Sequence, residues 1–101
     1  MEKRRPHFSL SRFKSVCGDP DQLVLTGSAY RSAAAIGFGI PQVAGVVRSM
    51  EARHFFKSMT SYADHRQRQD VYHVPWDSWT LYVKFTDDVL TEFVVLSFKE
   101  R

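Results

Sequence analysis

The spacing of apolar residues changes once along this chain, at Arg53, and that change limits what the chain can fold into. Upstream of it the period is helical. Ser9 reads as an N-cap, its side chain able to accept from a first-turn N–H. Leu10, Phe13 and Cys17 follow on one face, with Val16 beside them. Gly18-Asp19-Pro20-Asp21 stops this helix with turn chemistry. Leu23-Val24-Leu25 reads as a brief strand. Thr26 or Ser28 caps a second helix, in which Ala29, Ala33 and Ile36 share a face and Gly37-Phe38-Gly39 ends the run. Pro41 suits the first turn of a third helix, where its missing N–H costs nothing. Val43, Val46, Val47 and Met50 give that helix its core stripe.

Downstream of Arg53 the period is two. Arg53, Phe55, Lys57, Met59 and Ser61 fall on one face of a strand, and His54, Phe56, Ser58, Thr60 and Tyr62 on the other. A cationic turn, Asp64 to Arg68, leads to a second arm from Gln69 to Val74, with Gln69, Val71 and His73 on one side. Pro75-Trp76-Asp77-Ser78 reads as a turn. In Thr80–Phe85, Leu81, Val83 and Phe85 alternate with Tyr82 and Lys84. Thr86-Asp87-Asp88 turns the chain again, and Glu92–Lys99 is apolar on both faces, the pattern of a central, doubly covered strand. Short loops impose antiparallel pairing. Three short helices followed by four strands therefore predict an α+β domain, with the helices packed on one face of a single antiparallel sheet.

Length and composition narrow the function. One domain is expected over residues 1–101. No apolar run approaches the roughly 18 residues of a membrane span, and the basic start MEKRRPHFSLSR has no apolar stretch behind it, so no signal peptide or membrane partner is expected. The single Cys17 excludes an internal disulfide and fits a reducing cytoplasm; on its apolar helix face it reads as an inert core thiol. The net charge of +3 permits a nucleic-acid partner without demanding one. Lys3-Arg4-Arg5 reads either as part of a solvated tail or as an arm that adds phosphate contacts.

Several familiar sites are missing. There is no GxxxxGK[ST], no GxGxxG, no GxSxG and no HExxH, and no cysteine–histidine cluster has metal-ligand spacing, so neither cofactor nor metal is expected. What remains is a polar set embedded in the strands: Lys57, Gln69, Tyr82, Lys84 and Lys99. Singly, each is ordinary on an open sheet face, where lysine also guards against edge pairing. Converging, they would form a cationic, aromatic platform for single-stranded nucleic acid.

Four stretches are specific. MEKRRPH at 1–7, FFKSMTSYADHRQRQDVY at 55–72, LYVKFT at 81–86 and LSFKER at 96–101 resemble, in order, motifs of the MqsR (motility quorum-sensing regulator) toxins. Between residues 8 and 54 only the helical pattern agrees. The resemblance implies a RelE-like microbial ribonuclease fold and metal-independent cleavage of messenger RNA at sites containing GC. It implies a partner too, an MqsA-like antitoxin that carries the zinc- and DNA-binding functions, so that DNA is met only indirectly. The family's catalytic positions fall on Lys57, Gln69, Tyr82 and Lys99. Around them His65, Arg66, Arg68, Lys84 and Arg101 are the expected RNA-binding cations. Two departures stand out: Phe56 where the family often has tyrosine, and Arg68 where it usually has tryptophan.

The chemistry expected is attack of a ribose 2′-OH on its adjacent phosphate, leaving a 2′,3′-cyclic phosphate and a 5′-OH. It requires a base, an acid and stabilisation of phosphate charge. Lys57 and Lys99 are candidate stabilisers, and either is a candidate base, since a nearby like charge lowers a lysine pKa. Tyr82 either stacks on a nucleobase or donates a proton, and Gln69 orients the phosphate or a hydroxyl. The alternative from another class is a non-catalytic RNA-binding or regulatory module using the same face.

Overall fold

The computed structural model describes residues 2–101; Met1, the first residue of the N-terminal motif, lies outside them. Ser9 caps α1 (Leu10–Cys17), accepting from the Arg12 N–H at 3.2 Å. This helix buries Phe13, Val16 and Cys17, and burial pushes the Cys17 thiol up to about 12. Thr26, rather than Ser28, caps α2 (Gly27–Ala35), its Oγ1 accepting from the Ala29 N–H at 3.1 Å. At the far end the Phe38 N–H donates to the Ala33 carbonyl and the Gly37 N–H to that of Ala34, while Gly37 takes a φ of 85°. This is a left-handed cap that glycine enters without steric cost. α3 (Ile40–Ser49) has Pro41 in its first turn and buries Val43, Ala44, Val46 and Val47. Arg48 ties α3 to the end of α1 by donating to the Gly18 carbonyl at 2.6 Å.

A single sheet follows: β1 (Glu2–Lys3), β2 (Phe55–Thr60), β3 (Arg68–Trp76), β4 (Trp79–Asp88) and β5 (Glu92–Glu100), side by side in chain order and antiparallel throughout. Three helices on one antiparallel sheet is the α+β arrangement expected, and it is consistent with the RelE-like fold that the resemblance implies.

Several details differ from the sequence reading. A fifth strand, β1, pairs with the edge of β2; two charged residues carry no strand pattern, so nothing local announces it. Arg53 and His54 lie in a 3₁₀ turn (Ala52–His54) instead of opening β2. Pro75 and Trp76 extend β3 opposite Thr80 and Trp79, and the turn shrinks to Asp77-Ser78, where Asp77 takes a φ of 53°. β4 continues through Thr86, Asp87 and Asp88. The Thr86 hydroxyl is used up on the Arg68 carbonyl at 2.6 Å, and the Asp88 carboxylate instead caps the next turn, accepting from the Leu90 and Thr91 N–H groups.

The last strand is not central. β5 ends the sheet order, and its apolar residues are covered by other means. α2 packs against it. Leu25, expected in a brief strand, makes only a single parallel bridge to Val95. Through that bridge the Thr26 N–H donates to the Val95 carbonyl and the Val95 N–H to that of Val24. A bulge at Lys84/Phe85 leaves Leu96 without a partner in the register, which blurs the alternation that a two-faced edge strand would show.

The core lies between the helices and one sheet face. Phe13 stacks on Phe85 with centroids 3.6 Å apart, and Phe8 leans on Phe85 and Phe93. Tyr72 is fully buried there, and its hydroxyl has no hydrogen-bond partner among the described residues. Burial, and then the charge of Asp70, pushes its pKa up to about 12. A buried hydroxyl without a partner costs more than it contributes. Tyr72→Phe is therefore expected to stabilise the fold by about 1 kcal/mol, read as a higher midpoint in urea at unchanged slope. A lower midpoint would mean that the hydroxyl is satisfied in solution.

Candidate active site on the open face of the sheet

Strand alternation decides which side chains escape the helices. Tyr72, Val83, Phe85 and Phe98 point into the core. Their neighbours point the other way: Val71, Lys84 and Ser97 form one cross-strand row, and His73, Tyr82 and Lys99 the next. Gln69, opposite Met59, lies on this open face too.

Lys57 reaches the open face because of a bulge. Phe55 pairs with Tyr72 and Lys57 with Val71, so Phe56 is an extra residue between them. Phe55 meets Tyr72 edge-on in the core, at 5.4 Å. Phe56 stacks on His73 at 4.1 Å, on the opposite side. Lys57 therefore does not share a face with Phe55, as simple alternation predicts. Without the bulge its ammonium would enter the core, and re-aiming a side chain in this way is a common use of a bulge.

The result is a row of rings. Phe56, His73 and Tyr82 cross three strands, with centroids 4.1 and 5.9 Å apart. A lysine stands at each end: Lys57 Nζ is 5.5 Å from the Phe56 centroid, and Lys99 Nζ is 5.3 Å from that of Tyr82. Burial, then the charges of Arg101 and Lys57, hold His73 below the usual histidine value. At neutral pH it presents a neutral ring. Burial, then Lys99 and Lys57, also lower the pKa of Lys84. Gln69 is nearly buried, and its amide donates to Gln67 Oε1 at 3.2 Å.

The N-terminal arm closes one side of the site. Glu2 in β1 accepts from Lys57 Nζ at 2.7 Å. Glu2, Lys3, Arg4, Phe56 and Lys57 together line a cavity of about 400 Å³. Farther along, the backbone N–H groups of His7 and Phe8 both donate to the buried Asp70 carboxylate, which anchors the arm.

Lys57, Gln69, Tyr82, Lys84 and Lys99 thus share one face. Arg101 lies just beyond, its N–H donating to the Thr80 carbonyl at 2.8 Å. His65 and Arg66 are exposed in the β2–β3 turn, where Arg66 reaches back to Asp64. Arg68 is not on the open face. It lies in β3 itself, on the helix side with Ser58 and Asp70, donating to Ser58 Oγ at 3.2 Å. Glu2, Phe56 and His73 were not among the predicted site residues. His73 was legible from its alternation with Gln69 and Val71. Phe56 was not, because the bulge is invisible locally, nor was Glu2, which depends on β1.

The mRNA interferase toxin MqsR of Escherichia coli (strain K12) is 36% identical over 101 residues, spanning all of both chains. The family model described as "Motility quorum-sensing regulator, toxin of MqsA" matches residues 5–100, and this chain belongs to that family of toxins.

Proposed function

We propose that this chain is the toxin of a toxin–antitoxin pair, an endoribonuclease that cuts single-stranded messenger RNA on the open face of its sheet and is neutralised by an MqsA-like antitoxin. One observation carries the reading: the row of three rings between two lysines, with Gln69 and Lys84 on the same face. Rings stack on unpaired bases of any sequence, and lysines follow the phosphates. A 2′-OH then attacks its own phosphate, with Lys57 and Lys99 meeting the charge that develops on the phosphate oxygens. Gln69 orients the phosphate or a hydroxyl, and the products are a 2′,3′-cyclic phosphate and a 5′-OH. Sites containing GC, such as GCU, are the preferred cuts. Among the described residues no three His, Cys, Asp or Glu side chains are grouped to hold a metal ion, so cleavage is expected to survive EDTA.

The test is incubation of purified protein with RNA containing GCU, followed by mapping of both product ends. Binding without cleavage would favour a non-catalytic RNA-binding module, and a 5′-phosphate product would rule out 2′-OH attack. Expression alone should arrest growth, and co-expression of the antitoxin should relieve it.

Two substitutions separate roles within the site. Tyr82→Phe keeps the ring and deletes the hydroxyl. If the phenol protonates the leaving oxygen, cleavage falls by about 100-fold with RNA affinity unchanged. If the ring only stacks, both stay at wild-type values and Tyr82→Ala is needed to weaken binding. Glu2→Gln tests the arm. The hydrogen bond and charge of Lys57 hold the Glu2 carboxyl below its ordinary value. The ion pair therefore persists at neutral pH and is lost only as pH falls through that lowered value. Glu2 occupies the place of a phosphate on Lys57, so Glu2→Gln should tighten RNA binding by roughly two- to fivefold, the scale of an exposed ion pair. Weaker binding by the variant would show that Glu2 helps to hold the substrate.

A further inference from the structure

Three lysines stand on the open face, and their surroundings differ. Lys57 donates to the Glu2 carboxylate at 2.7 Å. Lys99 is exposed to water and lies over the Tyr82 ring. Lys84 has neither kind of support. It is half-buried on an inner strand, between Val71 on β3 and Ser97 on β5, with no ion pair or hydrogen bond to its ammonium among the described residues.

The groups that face it repel a proton. Lys57 points in from β2 and Lys99 from β5, with Arg101 beyond the strand end. His73 on β3 is held neutral, and Tyr82, two residues away on β4, is a phenol. Glu2 on β1 is the one carboxylate found at the site among the described residues, and it is engaged by Lys57. Burial is the largest effect lowering the Lys84 pKa, and the charges of Lys99 and Lys57 follow. An ordinary lysine at pH 7 is neutral in only about 4 molecules in 10,000, too few to serve as an efficient base. A lysine desolvated and pressed by two like charges is neutral more often than that.

We propose that Lys84 is the catalytic base of this site, a role distinct from the charge stabilisation supplied by Lys57 and Lys99. This rests on the reading of the open face as an RNA-cleaving site. The Lys84 amine takes the proton of the ribose 2′-OH. The 2′ oxygen forms a bond to phosphorus, and the P–O5′ bond breaks with its electron pair going to O5′. That oxygen takes a proton from the Tyr82 phenol or the Lys99 ammonium. Lys84 then gives its proton to solvent, and the donor is reprotonated from solvent, so the cycle closes with no other reactant. The ring row places the substrate beside Lys84: Tyr82 is its neighbour on the same face of β4, and Lys99 lies diagonally across on β5.

Lys84→Arg and Lys84→Met test this. Arginine keeps the cation but stays protonated near neutral pH, and methionine keeps the stem without the amine. Single-turnover cleavage should fall by about 10²–10⁴-fold in both variants. Affinity of Lys84→Arg for the same RNA carrying a 2′-deoxy sugar at the cut site should be unchanged. The wild-type rate should rise with pH as Lys84 loses its proton, and Lys84→Arg should lack that limb. Independently, side-chain NMR of the free wild-type protein should show Lys84 deprotonating at lower pH than an ordinary lysine. Lys84→Arg cleaving at the wild-type rate, losing cleavage and affinity in equal measure, or a Lys84 that titrates like an ordinary lysine would each overturn the assignment. A wild type that cuts no RNA would sink the endoribonuclease reading and the base with it, whereas an active Lys84→Arg would sink the base alone.

Discussion

Lys57→Ala is expected to lower RNA cleavage by about 10²–10³-fold, the cost of removing one preorganised donor from a developing oxyanion. The fold should survive. Lys57 stands on the open face, its one ion pair among the described residues is with the exposed arm residue Glu2, and Phe55 and Met59 remain in place beside it. The bulge that presents Lys57 is a backbone feature held by the β2–β3 register, so alanine should leave it intact. RNA binding should lose about one phosphate contact, and the slope of log affinity against log salt should flatten by roughly 0.7. Cleavage by Lys57→Ala at the wild-type rate would overturn the placement of the active site on this face.

Asp70→Ala is expected to have the largest effect on stability of any single polar substitution. Its carboxylate is fully buried on the helix side of β3. One oxygen accepts from the His7 and Phe8 N–H groups at 3.0 and 2.9 Å, and the other accepts from His7 at 3.1 Å. Alanine would leave two backbone donors without a partner, a loss of about 2–4 kcal/mol. For a domain of this size that is a fall in Tm of roughly 10–20 °C. The consequences should reach the active site. His7 and Phe8 fix the end of the arm, and Phe8 packs on Phe85 and Phe93. Once released, the arm would no longer hold β1 against β2 or Glu2 against Lys57. Amide exchange at residues 2–5 should accelerate more than at β3 and β4. An unchanged Tm, or an arm as protected as in the wild type, would show that β1 holds itself in place.

The shift of apolar spacing at Arg53 was sufficient to determine the order of the three helices and of the four strands after them, though not β1, because each pattern is a property of neighbouring residues. The cap at Ser9, a second cap at Thr26 or Ser28, the stop at Gly37 and the shared side of Gln69, Val71 and His73 were legible for the same reason. The motifs at 55–72, 81–86 and 96–101 made the family legible as well. The tertiary structure decided the rest. Whether Lys57 faces core or open side depends on one extra residue in the pairing of β2 with β3, and pairing is not written in either strand alone. The sequence allowed Lys3-Arg4-Arg5 to be a tail or an arm; the buried Asp70 carboxylate, 62 residues from Phe8 along the chain, holds the segment as an arm. β5 reads as central from its apolar faces, yet it lies at the edge because α2 and residues 24–26 cover it. The separation of the three lysines is also tertiary. A carboxylate at Lys57, a ring and solvent at Lys99, and burial between like charges at Lys84 come from four different strands, and an ammonium responds to charges through space, wherever they lie along the chain.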